Sequence, residues 1–160
     1  MVRDMTESDS SRVLEIYKQG IETLNATFET SAPTWKEWDS KHIKHSRFIF
    51  EENGLVIGWI ALSQVSARLV YRGVAEVSIY IDLNYANRGI GSKLMEEAVN
   101  SSERNGVWTL QSSVFPENIA TLKLHEKFGF RVLGKREKIA SLNGVWRDTL
   151  ILERRSKIIV

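Results

Sequence analysis

The stretch Ala75-Glu-Val-Ser-Ile-Tyr-Ile-Asp-Leu-Asn-Tyr-Ala-Asn-Arg-Gly-Ile-Gly-Ser-Lys-Leu94 constrains the fold more than any other part of the chain. A β-rich run from Val74 to Ile81 enters a turn holding Gly89 and Gly91, and Ile90, Leu94, Ala98 and Val99 then mark one face of a helix reaching about Glu103. With a further strand expected over Val107–Val114, this order implies a right-handed crossover and local parallel pairing. The turn also has a chemical reading. Its glycines let main-chain N–H groups approach an anion, and the helix behind it aims its positive end at the same point. Glu76, on the strand just before, is the candidate base beside it.

The flanking segments extend this unit to a whole domain. Val13, Ile16, Tyr17, Ile21 and Leu24 have roughly the spacing of one helical face. Thr34 and Glu37 form a capping-box pattern behind Pro33, opening a second helix whose Trp35, Trp38 and Ile43 turn inward. Arg47–Glu52 and Leu55–Leu62 flank Asn53-Gly54, and Phe130–Ile139 and Val145–Leu152 flank Asn143-Gly144, the dipeptide that best signals a β-hairpin. Ser63–Gly73 reads as a loop or hairpin end. Another helix runs from Pro116-Glu-Asn118 through Lys127 and stops at Gly129. Trp59, Trp108 and Trp146 fall in expected strands and read as packing residues. One α/β domain over residues 1–160, with a mixed sheet flanked by helices, accounts for the pattern.

Composition narrows the partners. Charged residues are 26% of the 160 and the net charge is +2, so the overall balance points to neither nucleic acid nor a membrane surface. No cysteine occurs, which removes disulfides, thiolate metal sites and an acyl-cysteine route. His42 and His45 lie three apart without a third ligand nearby, so no metal is expected. The first residues lack a signal-peptide core and no run has membrane-span length. The expectation is a cytoplasmic protein acting on a small molecule.

Two phosphate-binding patterns fail at the glycine turn. A triphosphate loop requires Gly, four residues, then Gly-Lys-Ser/Thr, but Ala86 stands at the earlier glycine position and Ser92-Lys93 is reversed. A dinucleotide fingerprint requires a third glycine where Leu94 stands. What remains is a cradle for a pyrophosphate without a lysine clamp or magnesium, as in an acyl-coenzyme A thioester. Here the chain resembles the GNAT N-acetyltransferase superfamily: its Gln/Arg-x-x-Gly-x-Gly/Ala loop maps onto Ala86-Asn87-Arg88-Gly89-Ile90-Gly91, and Asn118-Ile-Ala-Thr-Leu-Lys-Leu-His-Glu-Lys-Phe-Gly-Phe130 resembles its second cofactor-side helix. Ala86 departs from the pattern by removing one side-chain contact, which Arg88 could replace.

Asn25-Ala-Thr-Phe-Glu-Thr30, Tyr71-Arg72 and Gly144-Val-Trp-Arg-Asp-Thr-Leu150 further resemble the phosphinothricin and methionine sulfoximine acetyltransferase branch. The resemblance implies a homodimer using acetyl-CoA as co-substrate on an amino-acid-like amine, in a ternary complex. It implies cofactor contacts at Ser78, Ile79, Tyr80, Ile81, Asn87, Arg88, Gly89, Ile90, Gly91, Ser92 and Asn118, and acceptor contacts at Phe28, Tyr71 and Arg72. Glu76 would take the amine's proton and a main-chain N–H within Ser78–Ile81 would hold the thioester oxygen. Many members of the superfamily place a thiolate-protonating tyrosine where His125 stands, making His125 a candidate donor. Two rival readings remain: another GNAT acceptor (polyamine, aminoglycoside or protein N-terminus), or an acyl-CoA sensor without turnover.

Overall fold

Two Asn-Gly turns set the geometry at both ends of the sheet. Asn53 and Gly54 have φ of 52° and 78°, and Asn143 and Gly144 have 49° and 79°, the paired positive values of tight hairpin turns that follow the twist of the strands. The computed structural model describes residues 1–160. In chain order the elements are β1 (Val2–Asp4), α1 (Ser10–Glu22), α2 (Trp35–Lys41), β2 (Phe48–Glu52), β3 (Leu55–Gln64), β4 (Val74–Ile81), α3 (Ile90–Arg104), β5 (Thr109–Val114), α4 (Ile119–Lys127), β6 (Arg131–Leu142) and β7 (Val145–Arg155).

The strands form one sheet in the order β1-β2-β3-β4-β5-β7-β6. Every pairing is antiparallel except β4 with β5. The crossover through α3 therefore gives the expected parallel pair. The next one does not, because β7 lies between β5 and β6. The tight turn at Asn143-Gly144 sends β7 back along the inner edge of β6, and that places it against β5. Three further expectations need correction. β1 was not anticipated, since three residues carry no usable period. Leu24 lies outside α1 with φ of 57°. Trp146, expected to pack, is 63% exposed on β7.

Residues Val56–Leu62 of β3 are buried without a break, as a central strand covered on both faces must be. One face meets α3, where Ile57, Ile60 and Leu62 join Leu94, Met95 and Ala98. Gly58 allows that approach, because a Cβ there would stand 3.2 Å from both Ile90 Cγ2 and Leu94 Cδ1 of α3. The other face meets α1 and α2, where Val56, Trp59 and Ala61 join Val13, Ile16 and Trp38. Thr34 caps α2 by accepting from the Glu37 N–H at 3.2 Å. That helix ends at Lys41, so Ile43 is not helical; its N–H donates to the Leu62 carbonyl at 2.8 Å. No helix is long and apolar enough to cross a membrane.

Candidate active site

The parallel strands β4 and β5 pair at only three positions, Val74–Thr109, Ala75–Leu110 and Glu76–Gln111. β4 remains paired with β3 from Ala75 to Ile81. Beyond Glu76, the β4 edge that faces β5 therefore has no ladder partner. A slot with free main-chain polar groups opens there, and Glu76 stands at its mouth.

Alternation along β4 decides what lines the slot. Ala75, Val77, Ile79 and Ile81 turn toward α3 and pack in the larger core. Glu76, Ser78 and Tyr80 turn the other way. Tyr80 stacks on Trp59 with centroids 5.0 Å apart and lies 4.9 Å from Tyr17. Gly20 of α1 makes room for it, since a Cβ there would sit 2.5 Å from the Tyr80 ring. Burial pushes the Tyr80 hydroxyl well up, and the neighbouring Tyr17 adds to the rise. Thr27 lies near enough to Tyr17 and Tyr80 to offset part of the rise at each, which brings the loop between α1 and α2 over the face of β4 that carries Glu76.

Burial raises the Glu76 pKa above the ordinary carboxylate range, and the charge of Arg136 on β6 partly opposes the rise. A carboxylate in that state holds a proton more readily than a solvated one, which suits a general base. Nothing in the sequence assigned Arg136 a role at Glu76. Arg72, the expected acceptor contact, instead lies 5.4 Å over the Trp108 ring and donates to the Leu69 carbonyl at 3.2 Å. Tyr71 is exposed beneath Arg68, whose guanidinium sits 5.5 Å from its ring. Phe28 meets Phe115 edge-on at 4.9 Å.

The glycine turn is held from below by Asp82. This buried side chain accepts from the Asn84 N–H at 2.9 Å, from Gln19 at 3.4 Å and from the Arg12 guanidinium. Burial alone would raise the Asp82 pKa, but those hydrogen bonds outweigh it and keep the carboxyl below its usual range. Asn87 and Gly89 then both have positive φ, 62° and 76°, and alternate hands of backbone turn successive N–H groups inward. Gly89 is the N-cap of α3 and has no side-chain cap. A Cβ at Gly89 would meet nothing within 4 Å. The first-turn N–H groups of Ile90, Gly91 and Ser92 have no intrahelical partner and donate to no other group, so the cradle fits a pyrophosphate. Ile90 contributes only main chain, its side chain being buried.

The cations near this cradle are not placed as the sequence implied. Arg88 pairs with Glu52 at 2.9 Å and lies 5.4 Å over the Tyr85 ring. Lys127, at the end of α4, donates to Ser92 Oγ at 3.0 Å in the first turn of α3. Asn118 also has other partners: its Oδ1 caps α4 by accepting from the Thr121 N–H at 3.4 Å, and its Nδ2 donates to the Asn25 carbonyl at 3.3 Å.

His125 is 2% exposed and packs edge-on against Phe130 at 4.8 Å. Its Nδ1 lies 2.7 Å from the Thr121 carbonyl. A carbonyl only accepts, so Nδ1 carries the proton and the unpartnered Nε2 is bare. Burial lowers the His125 pKa, and a neutral ring in this tautomer has no proton to give a thiolate from Nε2. His42 and His45 are likewise used locally, His42 stacked on Trp38 at 4.0 Å and His45 bonded to Ser46 Oγ at 2.8 Å. No group of three or more His, Cys, Asp or Glu side chains is placed to hold a metal ion.

Residues 13–130 match the model of the acetyltransferase (GNAT) family. The Bacillus subtilis (strain 168) protein YwnH is 36% identical over 152 residues, spanning 91% of this chain and 93% of its own length. The phosphinothricin N-acetyltransferase of Streptomyces viridochromogenes is 26% identical over 157 residues, covering 96% of this chain and 86% of that protein. Among solved structures, a GNAT superfamily phosphinothricin acetyltransferase from Sinorhizobium meliloti in complex with AcCoA superposes with a TM-score of 0.88 at 25% identity, over 97% of this chain and 87% of that one.

Proposed function

We propose, from the premise that this chain belongs to the acetyltransferase (GNAT) family and is an acetyl-CoA-dependent N-acetyltransferase, that its acceptor is the amine of an amino-acid-like small molecule. Phosphinothricin, methionine sulfoximine and methionine sulfone are the acceptor type. The observation that carries the reading is the parting of β4 from β5 at Glu76, which puts a partly buried carboxylate beside free main-chain groups.

Bound acetyl-CoA supplies the acetyl group as a thioester. Free N–H groups of Gly89, Gly91 and Ser92 hold the pyrophosphate, with Lys127 adding a positive charge at Ser92. A main-chain N–H of the unpaired β4 edge between Ser78 and Ile81 holds the thioester oxygen. Glu76 takes a proton from the acceptor's ammonium, directly or through one water, and the neutral amine attacks in the ternary complex without an acyl-enzyme. The proton for the departing thiolate comes from solvent, since His125 has none to give. An acceptor carboxylate pairs with a guanidinium at the rim, where the charge of Arg136 acts on Glu76 and Arg72 stands two residues before β4. These cations favour an acidic acceptor over a polyamine.

The decisive measurement is thiol release from acetyl-CoA with methionine sulfone, methionine sulfoximine, phosphinothricin, spermidine and an aminoglycoside. Release above hydrolysis is expected with the first three. Release only with the cationic amines would replace this reading, and none with any acceptor would leave a binding protein without turnover.

The same reading includes a homodimer. β6 is exposed at every residue from Arg131 to Ile139, and Val132, Leu133, Val145 and Trp146 leave apolar surface around it. An unpaired edge of this length with apolar side chains on it is a surface with which a second chain can pair. Light scattering should give twice the chain mass; a monomer would remove this part of the proposal.

A further inference from the structure

Arg147 of β7 is the side chain at which the loop after α1, the connection from β5 to α4 and the outer strands meet. Its guanidinium donates to the Leu24 carbonyl at 2.7 Å, to Asn25 Oδ1 at 3.1 Å and to Glu117 Oε2 at 3.3 Å. It also lies 4.1 Å over the Phe115 ring, and only 17% of the side chain is exposed. Leu24 has a left-handed backbone with φ of 57°, a conformation disfavoured for a residue with a Cβ. Arg147 holds the carbonyl of that residue. Phe115 is in turn the ring that Phe28 meets edge-on. The loop is thus fastened at its first residues by Arg147 and at Phe28 through the same aromatic surface.

We infer that Arg147 is a positioning residue for the acceptor: it fixes the loop bearing Asn25 and Phe28 as one wall of the pocket facing Glu76. This rests on the acceptor reading above. Arginine is required because three oxygens in different directions and a ring face must be met by one group. A planar guanidinium does this, whereas an ammonium on a flexible stem does not. Arg147 touches neither the glycine cradle nor the unpaired β4 edge, so the fastening acts on the acceptor half of the site.

The test uses Arg147→Gln and Arg147→Lys with methionine sulfone as acceptor, measuring KM and kcat, together with CoA affinity by calorimetry. Both variants should raise the acceptor KM about tenfold, change kcat less than twofold and leave CoA affinity unchanged. Lysine should not rescue glutamine. Asn25→Ala removes a single bond and no charge, so it should shift KM in the same direction by less, and it keeps the proposal testable should both Arg147 variants fail to fold. Phe28→Ala separates the two levels of inference. If Phe28→Ala raises KM while the Arg147 and Asn25 variants do not, the positioning role is overturned and the acceptor reading stands. If none of them moves KM, the loop is no wall of the acceptor pocket and the positioning role is overturned, while the acceptor reading fails only if methionine sulfone gives no thiol release. A rise in KM matched by an equal loss of CoA affinity would show a general structural defect and would also overturn the role.

Discussion

Between Asp82 and Ser92 the cofactor side is made mostly of main chain, whereas the acceptor side is assembled from side chains drawn from across the sequence. The turn works through two positive-φ residues, the start of α3 and one buried carboxylate beneath them. Its parts are near neighbours in the chain, with Arg12, Gln19, Glu52 and Lys127 brought in from elsewhere to brace them. On the acceptor side, Arg147 reaches its partners across sequence separations of 122 and 123 residues. The contrast follows the two ligands. A pyrophosphate can be held by N–H groups that every residue carries, while a small acceptor has to be recognised by shape and by particular side chains.

The variant with the largest expected effect tests whether the two halves are separable. Glu76→Gln should lower kcat about 100- to 1,000-fold, in the range that a lost general base removes, with CoA affinity unchanged by calorimetry. In the unmodified protein kcat should rise with pH through a group titrating above the ordinary carboxylate range, since burial raises the Glu76 pKa. That limb should be absent from the variant. Loss of CoA affinity together with kcat would mean that the halves are one unit.

A smaller effect is expected within the cofactor half. Lys127→Gln should weaken CoA binding about three- to fivefold, the upper end for an exposed charge pair, and should flatten its dependence on salt. Arg88→Gln, which frees a group already paired with Glu52, should do neither. The reverse result would restore the cation role to Arg88.

The smallest expected effect is on stability. Burial raises the folded-state pKa of Glu76 above its unfolded value, so the fold resists ionising it. Its contribution is full below the unfolded carboxylate range and is lost as pH rises through the folded pKa. Glu76→Gln should therefore raise the unfolding temperature slightly at neutral pH, with the gain vanishing in acid. A variant less stable at neutral pH would show that the Glu76 carboxylate makes favourable contacts that offset its burial.

The same contrast explains how much could be read from the sequence. Asn53-Gly54, Asn143-Gly144 and the Gly89-x-Gly91 turn are local signals, because each encodes a backbone conformation that few residue types adopt. They fixed both hairpins and the cradle. Asn87 could be placed in the turn by motif, yet its left-handed backbone became apparent only in the structure. No local pattern assigns a role to Arg147, Arg136, Arg12 or Lys127, even where the residue falls in a stretch that resembles the family, since a lone cation reads as solvated until the fold supplies its partner. His125 was legible as a position and misleading as a chemistry, because its tautomer depends on the Thr121 carbonyl one turn earlier. The order β5-β7-β6 escaped for a related reason. Hairpin signals say which strands pair with each other and nothing about which member of the hairpin meets the rest of the sheet.

That insertion bears on how the chain acquires its shape during synthesis. β7 follows every other strand in sequence, yet it supplies the sheet with an interior member, bonded to β5 on one side and β6 on the other. Until it emerges, β5 has a bare edge, β6 has nothing to pair with, and the anchor at Arg147 does not exist. The glycine turn and its crossover can form early from nearby segments, while the pocket for the second substrate waits on distant contacts that close slowly.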